Sequence, residues 1–142
     1  MNKLHPISWL GKSGKTVFVP SALDGPRKRK KPTVYFIGSM GDVFHESVKS
    51  GWIDDIMKMI ADCPQHYFLI LTKRPEQMAG YMAWWVSWHD EVLYNLGLGV
   101  SVSTQAMADE YIPILLKTYA AMWFVSMEPF WKGWILQPIL KK

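Results

Sequence analysis

The sequence predicts an α/β fold, a parallel (β/α) partial barrel or open sheet of about four strands with flanking helices. Three observations carry this. Short runs rich in β-branched and aromatic residues recur at 33–38, 67–72, 96–102 and 122–127. Amphipathic or proline-started helical stretches lie between them. The runs are apolar on both faces, as strands of a parallel sheet beneath crossover helices are.

Thr33–Gly38 follows Pro32 and ends in a polar loop, which marks a buried strand. Between Ser50 and Ile60 the apolar positions 52, 53, 56, 57 and 60 recur three and four apart, the period of an amphipathic helix. Ser50 is its candidate N-cap, Asp54 and Asp55 suit the positive end of its dipole, and Pro64 limits its length. Tyr67–Thr72 is the second strand, and Pro75 starts a helix that runs to about Trp88. Leu96–Val102 is the third strand, whose glycines imply a close approach. Met107–Thr118 is helical, with Pro113 starting its second part or kinking it. Met122–Met127 is the fourth strand. The expected organisation is a single partial (β/α) domain over 1–142, with a basic lead-in (1–32), a βα core (33–130) and an apolar tail (131–142).

The 142 residues fit one domain, and 49% hydrophobic content is enough for a core. The methionines at 57, 59, 78 and 82 read as core filling. One cysteine excludes an internal disulfide and any multi-cysteine metal or cluster site, and Cys63 reads as a bystander before Pro64. With no signal peptide and no long apolar run, the expectation is a cytoplasmic protein with no membrane partner.

Gly11–Thr16, GKSGKT, invites comparison with the phosphate loop G-x-x-x-x-G-K-[ST]. Gly14, Lys15 and Thr16 match its second half, but the first glycine falls on Trp9. Val17–Pro20 is a β-type run, not the helix whose N–H groups would hold phosphate. The segment therefore reads as a basic, hairpin-like turn with no apolar strand ahead of it.

In parallel sheets chemistry gathers where strands end. Four stretches qualify: 39–42, 72–75, 101–104 and 126–129. Asp42 and Glu128 are candidates to face each other and bind a cation, a ribose diol or an amino group. Lys73 and Arg74 offer an anion site. Ser101 and Ser103 lie two apart and share a face if the strand persists. His45 follows Asp42 by three residues. Each also has a bland reading, as a turn, a cap or solvated charge.

The blocks FIGSMGDVFHE (36–46), LTKRPEQM (71–78), LGVSVS (98–103) and FVSMEP (124–129) together resemble a phage- and prophage-associated family of uncharacterised proteins. The likeness covers about residues 8–136, and LTKRP is its most specific part. That family looks related to radical S-adenosylmethionine enzymes, which use a partial or full (β/α) barrel and a [4Fe–4S] cluster on three close cysteines. The resemblance implies the loop Ser39, Met40 and Asp42 beside the methionine amino group. It places Ser101 and Ser103 near the ribose, Glu128 at the far wall, and Lys73 and Arg74 in the same pocket. The cysteines that should precede Trp9 are missing, and one cysteine cannot supply three thiolates.

The chain thus reads as the central part of a family member, a cofactor-pocket remnant without its own iron–sulfur cluster and not catalytic by itself. No firmly bound cofactor is expected, and S-adenosylmethionine is the ligand class the resemblance implies. The alternative is a nucleic-acid-binding or host-protein-interaction module. Arg27, Lys28, Arg29, Lys30 and Lys31 supply a basic run within a net charge of +4, and an open sheet edge invites a homodimer or a partner chain.

Overall fold

A computed structural model of the chain describes residues 1–10, 15–38 and 41–127. It is a mixed α/β structure. The elements in order are β1 (Asn2–Leu4), β2 (Ile7–Leu10), β3 (Lys15–Phe18), a 3₁₀ turn (Pro20–Leu23), α1 (Asp24–Lys28) and β4 (Val34–Ile37). Then come α2 (Ser50–Asp62), β5 (Tyr67–Thr72), α3 (Pro75–His89), β6 (Leu96–Val102), α4 (Gln105–Leu116) and β7 (Met122–Met127). The main sheet has five strands in the order β1-β4-β5-β6-β7, and each adjacent pair is parallel.

From β4 onward, neighbours in the chain are neighbours in the sheet. Right-handed crossovers then place α2, α3 and α4 on one common face. Burial follows. Tyr35, Ile37, Phe68, Ile70, Leu98 and Val100 are buried under the helices, while the alternating Phe36, Leu69 and Leu71 are only half-buried. The register carries that second face across the sheet: Leu71 lies beside Gly99, and Gly99 beside Phe124. A Cβ on Gly99 would come within 2.5 Å of the Phe124 ring, so the glycine makes room for an aromatic lying flat over β6.

The helical periods behave as expected. Ile53, Ile56, Met57 and Ile60 of α2 and Met78, Met82 and Trp85 of α3 enter the core. Between the two helices, Tyr81 donates to Asp54 Oδ1 at 2.6 Å. Burial first, and that bond second, push the phenol well above its usual range. Tyr81→Phe should cost about 1 kcal/mol in chemical denaturation, since Asp54 keeps some access to water.

Several sequence expectations need correction. The lead-in contributes a fifth strand, because β1 pairs with β4. A strand does precede GKSGKT: β2 pairs antiparallel with β3 on its far side. Residues 11–14 lie outside the described residues, but Lys15 and Thr16 belong to a strand, so no helix opens there to cradle a phosphate. The N-cap of α2 is Lys49, with no side-chain bond, and Ser50 is already helical. Helix α4 begins two residues early, because the Thr104 hydroxyl accepts from Met107 N–H, and it continues through Pro113. The tail from 131 lies outside the described residues.

Candidate functional site

At the carboxyl ends of β4 and β5, Asp42 is the centre of a closed set of hydrogen bonds. Its Oδ1 accepts from the Thr72 hydroxyl at 2.6 Å and from Phe44 N–H at 2.9 Å, and Oδ2 accepts from Lys73 N–H at 2.9 Å. Thr72 Oγ1 in turn accepts from Arg74 N–H at 2.9 Å, a local threonine turn that sets Pro75 at the start of α3. The aspartate therefore staples the loop after β4 to the loop after β5. Gly38 makes the approach possible: its φ is +111°, and an added Cβ would lie 2.9 Å from the Leu71 carbonyl oxygen.

The predicted residues divide by face. Thr72 alternates with Ile70 and Phe68, so it belongs to the helix-covered face, and Asp42 is anchored on that side. Ser101 alternates with Gly99 and lies on the opposite face, the bare face, which no described helix covers. The two do not meet. Arg74 reaches toward Glu46 at 3.8 Å, a half-exposed pair of little energetic weight. Lys73 is exposed. Ser103 has left the strand and donates to Met107 Sδ at 3.3 Å. His45 turns back on Ser47, with Nδ1 2.8 Å from its Oγ. Ser39, Met40 and Glu128 lie outside the described residues, and with them any pairing of Asp42 with Glu128.

The residue the sequence did not single out is Ser126. It is the register partner of Ser101, and both are half-buried on the bare face. Among the described residues neither hydroxyl has a hydrogen-bond partner. They form a polar step above an apolar floor of Leu71 and Phe124, one row down the sheet. Its only sequence signal is the next-to-last serine of each strand, which becomes a pair once the register is known.

The opposite end of the sheet is held by polar side chains that sequence reasoning missed. Buried His66 accepts from Thr33 N–H through Nδ1 at 3.1 Å, which leaves Nε2 to donate to the Pro26 carbonyl at 2.9 Å. Asn95 Nδ2 donates to the carbonyls of Ile60, Cys63 and His66, closing the carboxyl end of α2. Cys63 is buried there, and burial raises its thiol pKa, which disfavours the reactive thiolate. In the basic run, Arg27 pairs with Asp62 at 3.4 Å, and Arg29 Nε donates to Thr33 Oγ1 at 2.7 Å.

Among the described residues, no three His, Cys, Asp or Glu side chains are grouped to hold a metal ion. Nor is any described helix long and apolar enough to cross a membrane. A [4Fe–4S] cluster does not fit this chain: its one cysteine is buried at the amino end of the sheet, away from the strand ends.

The fold and this rim define a parallel (β/α) protein with one helix-covered face, a second face that no described helix covers, and polar groups at its strand ends. The chain belongs to a family described as a protein of unknown function, DUF5131, whose model matches residues 3–138. No curated protein and no solved structure matches it.

Proposed function

We propose that this chain is a ligand-binding (β/α) platform that takes S-adenosylmethionine, or a close adenosyl relative, on the bare face at the strand ends. In this reading it is a radical-S-adenosylmethionine-like domain whose one cysteine does not by itself hold a [4Fe–4S] cluster. The observation that carries it is the Ser101–Ser126 pair, two half-buried hydroxyls without partners among the described residues, beside an apolar floor. A polar step over apolar surface is the common make-up of a small-molecule site. The two serines hold a ribose diol, Leu71 and Phe124 lie under the purine, and Lys73 attracts the carboxylate. Asp42 is assigned to the scaffold, since its carboxylate already serves three donors. A cytoplasmic setting accompanies this reading, since the proposed ligand is an intracellular metabolite.

Calorimetric titration tests it. The wild-type chain should bind S-adenosylmethionine, and the double variant Ser101→Ala/Ser126→Ala should bind about tenfold more weakly for two lost hydrogen bonds. Ser103→Ala, whose hydroxyl is spent on Met107, should bind normally. No heat with the wild type, or equal binding by the double variant, overturns the proposal.

A further inference from the structure

The amino end of the sheet carries a second feature that the bare face does not use. An open cleft of about 290 Å³ lies there, with Pro32, Val34, Gln65, Tyr67, Tyr94 and Asn95 among its walls. Tyr94 is 67% exposed. Asn95 spends its Nδ2 on three carbonyls, and among the described residues its Oδ1 has no donor.

The basic run is fastened to this cleft. Arg29 bonds to Thr33 on the wall, Thr33 Oγ1 donates to the Lys31 carbonyl at 2.9 Å, and Gln65 Nε2 donates to the Arg29 carbonyl at 3.1 Å. Arg27 is partly neutralised by Asp62. Lys28, Lys30 and Lys31 are exposed, with no ion pair among the described residues. Among the described residues, no carboxylate lines the cleft. Three lysines with no ion pair among the described residues therefore belong to a run fastened to the wall of a groove that carries an exposed aromatic ring and a spare acceptor. That combination matches a strand of phosphates carrying unpaired bases, because every base offers a face for stacking while phosphates are held by charge.

We propose that this cleft binds single-stranded nucleic acid, with phosphates along Lys28, Lys30 and Lys31 and a base on Tyr94. A duplex keeps its bases stacked inside and cannot use the ring. The site is independent of the ligand platform at the other end of the sheet.

Fluorescence anisotropy of labelled ten-nucleotide oligothymidine and oligouridine with the full chain tests this, and the two oligomers separate DNA from RNA preference. Three phosphate contacts predict a loss of about 20-fold in affinity between 50 and 200 mM salt. Lys28→Ala/Lys30→Ala/Lys31→Ala should abolish that salt dependence, and Tyr94→Ala should weaken binding about tenfold. Ser101→Ala/Ser126→Ala should bind like the wild type. Circular dichroism confirms that these surface variants fold. Equal binding of a duplex with no effect of Tyr94→Ala would reduce the run to unspecific charge and overturn the proposal. Lysine-dependent binding to phosphatidylserine vesicles without binding to either oligomer would overturn it as well.

Discussion

Asp42→Ala should lower the unfolding free energy by about 3 kcal/mol, a drop of roughly 10 °C in melting temperature for a chain of this size. The substitution leaves the Thr72 hydroxyl and the Lys73 and Phe44 N–H groups without their shared acceptor. Hydrogen bonds to a charged acceptor are worth about 1.5–3 kcal/mol each, and water recovers part of that at this half-buried site. The effect should be selective. Lys73→Ala and Arg74→Ala should stay within about 0.5 kcal/mol, because those positions join the staple through backbone N–H groups, the Lys73 side chain is exposed, and Arg74 makes only the half-exposed pair with Glu46. Urea denaturation of the three variants checks the ranking. An Asp42→Ala protein as stable as wild type but unable to bind ligand would show that the aspartate is a ligand contact and not a staple.

Gly38→Ala should be comparably damaging, at about 3 kcal/mol. At φ +111° any L side chain is strained, at about 1–3 kcal/mol. The new methyl would also meet the Leu71 carbonyl oxygen at 2.9 Å, a backbone atom that cannot swing aside without opening the β4–β5 ladder. Gly80→Ala makes the contrast. It lies in the middle of α3 with nothing within 4 Å of the added carbon, so it should stabilise by about 0.5–1 kcal/mol. Melting curves of the two variants should move in opposite directions. A tolerated Gly38→Ala would mean that β4 does not end in this conformation.

The strands from 67 onward were legible to the residue, because long apolar runs bounded by turns leave little choice of end. Strand β1 was not legible. Asn2–Leu4 has three residues and one apolar side chain, and it is a strand only because β4 offers it an edge. The start of α4 was missed because Thr104 reads as a loop residue until its hydroxyl is seen to cap Met107. In the site, position along the fold was legible but role was not. Asp42 reads from the sequence as a carboxylate following a strand, and it lies in the loop after β4. Its engagement depends on Thr72, thirty residues away in sequence and adjacent only through the β4–β5 register. Ser101 and Ser103 looked like a pair at spacing two, yet strand β6 ends between them, and the partner of Ser101 is Ser126 across the sheet. Spacing within one strand is local, whereas a site on a sheet is assembled from register, which no single segment encodes. The buried His66 and Asn95 show the same limit, since their value lies in carbonyls and N–H groups supplied by distant turns.

The most direct test is a backbone amide NMR spectrum of ¹⁵N-labelled protein titrated with S-adenosylmethionine. A ligand platform on the bare face predicts shifts that saturate together at Gly99, Ser101, Phe124 and Ser126, with Lys28–Lys31 unmoved. Absence of saturable shifts, or shifts confined to residues away from that row of β6 and β7, would contradict it.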